Sequence, residues 1–254
     1  VAEVVGAAGA TYDFSGSLLT ADKPVQVLTG VACIDYPTNV QACDHVEEAV
    51  FPAETLGKHY VVARPTGPVE NSVGHVVRMF GNVDGTTLTY KPSKPAGCPA
   101  TLNAGQVVDC GEVTSDFEVT GSNEFGVAGF MLGGEKVDPN FDPGGLTQPL
   151  GDPSQSFAVT VEQFRKKYVF LAPVDYKFNY VDVIAPAATK LTLDGSDASS
   201  SLKAIGGTDY FIARYSHRYN RPVVSPSAHL RERLESYHWP GNIRELENII
   251  KRLV

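Results

Sequence analysis

HVVRMFGNVDGTTLTY, residues 75–90, consists of two short apolar runs on either side of Asp84-Gly85. Both runs are rich in Val, Phe, Thr and Tyr, which fit a pleated, half-buried surface. Each is too short to make a helix. Asp-Gly suits turn positions with positive φ and is a strong short-range hairpin signal, so a reversal at Asp84-Gly85 is predicted. The same texture extends in both directions: VQVL (25–28), YVVA (60–63), FEVTG (117–121), FGVAGFML (125–132), SFAVTV (156–161), YVFLAP (168–173), YVDVIAP (180–186) and KLTLDG (190–195). Asp194-Gly195 ends the last of these in the same manner. Gly and Pro separate the runs at intervals typical of sandwiches and barrels. No repeat of 20–50 residues is present. The prediction is a mainly β chain, an antiparallel β-sandwich-like domain.

The chain has 254 residues with 21 Lys/Arg against 29 Asp/Glu, a net charge of −8. The charge is uneven. Residues 1–208 carry 13 Lys/Arg and 24 Asp/Glu, whereas residues 209–254 carry 8 and 5. The acidic bulk argues against nucleic-acid binding by the large part. The shift predicts a boundary near residue 208, dividing 1–208 from 209–254. No run approaches the roughly 18 apolar residues of a membrane span. The opening VAEVVGAAGA lacks a basic n-region, so no intact signal peptide is read, which leaves room for one already removed.

Cys33 and Cys43 bracket one short loop, and Cys98 and Cys110 another. Four cysteines allow three pairings. Local pairing, Cys33–Cys43 and Cys98–Cys110, needs the least rearrangement of the chain and implies an oxidising compartment. Four buried free thiols in a cytosolic protein are the alternative. No C-x-x-C occurs, so zinc-ribbon and thioredoxin-type sites have no support.

The densest group of metal-ligand types is Cys43-Asp44-His45-Val46-Glu47-Glu48. His45 and Glu48 would reach one ion if the backbone curled there, with His59 and His75 the other imidazoles of the segment. A polar loop beside a disulfide is the plainer reading. PNFDPGGLTQPLGDPSQS (139–156) predicts a long loop. Its neighbourhood offers Asp138, Asp142 and Asp152 as calcium ligands, but their spacing is not that of an EF-hand, and a solvated loop is favoured. Arg165-Lys166-Lys167 reads as a solvated strand entrance rather than a phosphate site. Neither a G-x-S-x-G elbow nor an H-E-x-x-H helix is present. The expectation is a protein that is no enzyme, with no catalytic residues and no cofactor.

The run ADKPVQVLTGVACIDYPTNVQACDHVEEAVFPAETLGKHYVV (21–62) resembles the amino-terminal domain shared by IgGFc-binding proteins and many bacterial surface or secreted proteins. GDPS (151–154), VEQFRKKYVFLAP (161–173), YKFNYVDVIAP (176–186) and LTLDG (191–195) extend the resemblance over about residues 13–207. It implies a β-rich extracellular domain of adhesive or matrix type, with an extracellular protein or glycan as partner. No residue motif for antibody binding comes with it.

Beyond residue 208 the pattern changes. Phe211, Tyr215 and Tyr219 recur every four residues, which reads as a helical stripe. Ser225 and Pro226 open a second predicted helix, with Leu230, Leu234 and Tyr237 on one face. Asn242 caps a third, with Glu245 completing a capping-box-like pair. The predicted tail is thus a small three-helix segment. WPGNIRELENIIKR (239–252), with FIARYSHRYNRP (211–222) and SPSAHL (225–230) upstream, resembles the helical lid subdomain of AAA+ activators that work with sigma-54. The resemblance implies that Arg244 is the sensor-two arginine, which approaches the γ-phosphate of ATP. The nucleotide-holding half is missing, however. The Gly57-Lys58 pair is preceded at position 52 by Pro and followed by His59, so it makes no P-loop. The GAFTGA loop is also absent, and no ATPase activity is expected. A regulatory activator fragment is therefore the alternative to a binding module. The two resemblances together read as a fusion near residues 206–215, with a truncated sheet whose unpaired edge would promote self-association.

Overall fold

A computed structural model describes residues 3–6, 12–38, 40, 43–145, 148–171 and 179–217. The chain divides into two compact units, Val1–His217 and Arg218–Val254. The helices expected beyond Ser225, and Arg244 with them, lie outside the described residues.

The first unit is mainly β and antiparallel throughout its named strands. β1 (Leu28–Ile34) and β2 (Asp44–Ala49) form a two-stranded ladder. Seven strands make the main sheet: β3 (Gly57–Val62), β4 (His75–Gly81), β5 (Thr86–Lys91), β6 (Thr101–Leu102), β7 (Val107–Val113), β8 (Phe117–Met131) and β9 (Gln155–Phe157). A second sheet holds β10 (Asn179–Pro186), followed in the chain by the small hairpin β11 (Thr192–Leu193) and β12 (Ser196–Asp197), then β13 (Lys203–Ala204) and β14 (Tyr210–His217). The one α-helix among the described residues is the single turn α1 (Gly134–Val137).

The 15-residue strand β8 organises the main sheet. Its first half pairs with β3 on one edge and β5 on the other, through Val119↔Tyr60 and Val119↔Tyr90. Its second half pairs with β4 and β9, through Ala128↔Arg78 and Ala128↔Phe157. Phe125 sits at the changeover, opposite Gly57 of β3 and Gly81 of β4. β4 and β5 therefore follow one another along the same edge of β8. This corrects the predicted hairpin at Asp84-Gly85. Gly85 does take a positive φ of 66°, but the flanking strands do not pair with each other. The turn is a corner in one strand line. It is tied down by the β6–β7 connection, where Gly85 N–H donates to Asn103 Oδ1 at 3.0 Å and Ala104 N–H to Asp84 Oδ1 at 3.0 Å. At Asp194-Gly195 the expectation is met. Both residues have positive φ, 50° and 82°, as a type I′ turn requires, and β11 and β12 pair across them.

The main core comes from one face of this sheet. Tyr60 and Val62 of β3, Val77 and Met79 of β4, Leu88 of β5, Leu102 of β6 and alternate residues of β8 (Phe117, Val119, Phe125, Val127) all join it. Cys98 and Cys110 belong to the same cluster. The opposite face is covered as well. Val76, Ala128 and Phe130 pack with Leu132 and Val137, while Val61 packs with Ile205, just after β13, and with Ile212 of β14. Layering of two sheets occurs at this last contact.

The segment predicted as the first tail helix is a strand. β14 pairs residue for residue with β10, from Asn179↔His217 to Pro186↔Tyr210, and on its other side with β13. The aromatic spacing misled because positions four apart share a face of a strand as well as of a helix. Ile212 and Ala213 are both buried, which removes the alternation that would have marked a half-exposed strand. The β unit thus continues past the composition break at 208. β14 is flanked by β10 along its whole length and by β13 at Phe211 and Ile212.

Candidate functional site

The unit carries two disulfides, Cys33–Cys43 and Cys98–Cys110. Their settings differ. Cys98 and Cys110 are buried in the main core, whereas Cys33 and Cys43 are exposed at the tip of the β1–β2 ladder. The exposed loop is anchored by Tyr36. Its ring stacks on Phe130 at 4.8 Å, its carbonyl accepts Gly133 N–H at 2.7 Å, and its hydroxyl meets Arg78 Nη2 at 3.0 Å. Arg78 also lies over the Phe130 ring and pairs with Asp13 at 3.2 Å and Asp109 at 3.4 Å. One guanidinium on β4 therefore holds both the amino-terminal segment and the cystine loop.

A second polar group lies where β10 and β14 meet the main sheet. Asp116, in the β7–β8 turn, accepts Arg64 N–H at 2.8 Å and Arg64 Nε–H at 3.2 Å. Arg214 of β14 donates to the Arg64 carbonyl at 3.1 Å and to Asp116 at 3.4 Å. Thr66 Oγ1 donates to Asp182 of β10 at 2.9 Å. Burial raises the Asp182 carboxyl above the usual range, and Thr66 and the Arg214 charge oppose that. His75 is buried nearby and pushed down to about 4 by desolvation. Its Nε2 has no hydrogen-bond partner among the described residues. Next to this, His59 of β3 meets Glu118 of β8 at 2.9 Å, and Lys91 of β5 approaches the same oxygen at 3.5 Å. The Glu118 side chain is only 6% exposed. These arrangements tie strands together, and none presents a nucleophile beside a free base.

His45 and Glu48 are not brought together. Residues three apart on a strand point to opposite faces, and β2 places them so. His45 instead faces Glu47 at 3.3 Å, and Glu48 Oε1 accepts Ala49 N–H at 2.9 Å. The curl that a shared ion needs is absent. His59 and His75 have the separate partners and surroundings given above. Among the described residues no three His, Cys, Asp or Glu side chains are grouped to hold a metal. Asp138 uses its oxygens on Asn140 N–H and Leu150 N–H, both at 2.9 Å, and Asp142 accepts Gly144 N–H at 3.0 Å. These carboxylates close the loop on itself. Asp152 is held high by burial and by the charge of Asp44. Arg165-Lys166-Lys167 is exposed as expected, but the described residues that follow, Tyr168–Leu171, lie outside any named element. The Asp116 and Glu118 groups were missed in the sequence. The available signal was a lone acid inside FEVTG, between Phe117 and Val119, where a strand buried on both faces should be apolar.

Antiparallel sheets carrying two cystines define a disulfide-stapled β module. The family model described as "IgGFc binding protein" matches residues 2–231. The chain belongs to the IgGFc-binding protein family. It is 31% identical over 135 residues to the human IgGFc-binding protein, a stretch that is 52% of this chain and 2% of that protein. Short similarities at the carboxy-terminal region point elsewhere. The alginate biosynthesis transcriptional regulatory protein AlgB of Pseudomonas putida is 48% identical over 44 residues, 17% of this chain and 10% of that regulator. The nitrogen fixation protein AnfA of Azotobacter vinelandii is 35% identical over 79 residues, 31% of this chain and 13% of that protein. The chain thus covers a small part of each of these relatives. No solved structure matches it.

Proposed function

We propose that the chain is a non-enzymatic extracellular or cell-surface binding module, of adhesive type, whose partner is an extracellular protein or glycan. The observation that carries this is the family match over residues 2–231, together with the closure of both cysteine pairs. Paired cysteines belong to an oxidising compartment. The cystine tip, where Cys33, Asp35, Thr38 and Cys43 are exposed and Tyr36 is held by Arg78, is the surface offered. On this reading the tail beyond His217 is a lid-like fragment of activator origin, and Arg244 in it is vestigial. The activator reading itself is not favoured, because its similarities are short.

Mass mapping of exported protein under non-reducing conditions tests the reading. Cys33–Cys43 and Cys98–Cys110 peptides are expected, with saturable binding of the immobilised chain to an immunoglobulin Fc, a mucin-type glycan or a matrix protein. Four free thiols in exported protein, or ATP-dependent behaviour in a titration with labelled nucleotide, would overturn it.

A further inference from the structure

Arg165-Lys166-Lys167-Tyr168-Val169-Phe170-Leu171 follows the 3-10 turn Val161–Gln163, and all seven residues are exposed. Tyr168 is 65%, Val169 89%, Phe170 51% and Leu171 76% exposed. This is the longest unbroken run of exposed large apolar side chains among the described residues. The cations and the apolar run are held beside each other. The Tyr168 hydroxyl accepts Arg165 N–H at 2.9 Å, and Arg165 Nη1 donates to the Phe164 carbonyl at 3.0 Å. Among the described residues Lys166 and Lys167 have no ion-pair partner.

We propose that Arg165–Leu171 is a docking loop for an anionic phospholipid surface. Three successive cations stand out in a chain with a net charge of −8, so an anionic surface is attracted at this loop against the charge of the whole. An anionic surface draws juxtamembrane Lys and Arg, and the headgroup–acyl boundary takes aromatic and aliphatic side chains beside them. A soluble anionic polymer would satisfy the cations and leave Val169 and Leu171 in water. A bilayer boundary accommodates both halves of the loop. The inference goes beyond the binding module proposed above and is independent of that module's partner.

The test is co-sedimentation of the full chain with vesicles of neutral phosphatidylcholine alone, or with roughly 30 mol% phosphatidylglycerol. Partition onto the anionic vesicles is expected to exceed that onto neutral ones by about tenfold, and to fall when salt shortens the Debye length to about 3 Å. The double variant Lys166→Glu/Lys167→Glu is expected to lose this gain, and Val169→Ser/Phe170→Ser most of it. Both variants should keep the wild-type denaturation midpoint, because the altered side chains are exposed. Equal partition of the wild type onto both vesicles overturns the proposal. So does retention of binding by either variant, which would place the contact elsewhere, for instance in the basic residues 209–254. Concentration-dependent self-association abolished by Val169→Ser/Phe170→Ser, without vesicle binding, would assign the loop to a second copy of the chain. A failure here leaves saturable protein or glycan binding intact.

Discussion

At the scale of single residues, the buried His75 and the half-buried Asp116 show opposite ways of placing a polar group. His75 is kept neutral by desolvation, with a pKa of about 4. The unfolded chain holds it near 6.5. Between these values the unfolded state binds the proton and the folded state does not, so stability falls as pH drops from about 6.5 to about 4. The loss is at most about 3 kcal/mol, and denaturant midpoints measured across that range should flatten in His75→Gln. Asp116 instead pairs with two guanidinium groups, Arg64 and Arg214. Asp116→Asn leaves two guanidinium groups with a neutral acceptor, and a cost of about 2 kcal/mol is expected in chemical denaturation. A loss below a few tenths of a kcal/mol would show the cluster to be incidental.

At the scale of elements, the sequence was most legible where a signal was local. The type I′ turn at Asp194-Gly195 and the two short cystine loops needed no distant partner to be read. Most strands of the main sheet were visible as β-branched and aromatic runs, but β2 and β7 were not, and Val25–Val27 and Tyr168–Leu171, read as strand, lie outside any strand. The strands' partners were not visible, because Asp84-Gly85 carries the same two letters as a hairpin turn and acts as a corner. Only the insertion of β8, from Phe117 onward, decides between the two. The helix read into residues 211–219 failed for a related reason, since β10, which pairs with β14, lies about thirty residues upstream. His45 and Glu48 illustrate the same dependence: one backbone choice, strand rather than curl, separates them. The reassignment of β14 is directly testable. A chain ending after Gly207 loses the centre of the β10–β14–β13 sheet and the cover over Val61, and should aggregate or melt well below the longer form. A chain ending after His217 should keep the full-length thermal transition by circular dichroism. If both truncations melt alike, β14 contributes nothing to the unit.

At the scale of the whole molecule, the two cystines do different work. Each closes a short loop, a constraint of roughly 3 kcal/mol on the unfolded chain. Cys98–Cys110 adds to the packing of the core, whereas Cys33–Cys43 shapes an exposed tip. The family match and the β unit both run past the point where composition changes. The charge shift at residue 208 therefore does not coincide with the end of the β unit, which runs to His217.

The place of β8 also bears on how the protein is made. During synthesis β4, β5 and β7 leave the ribosome before the strand they surround or support. β4–β7 and β5–β6 pairs are available early, but the sheet cannot close until Met131 has emerged. Until then both edges that β8 will fill stand open. A nascent chain in that condition exposes unpaired strand edges until its keystone arrives.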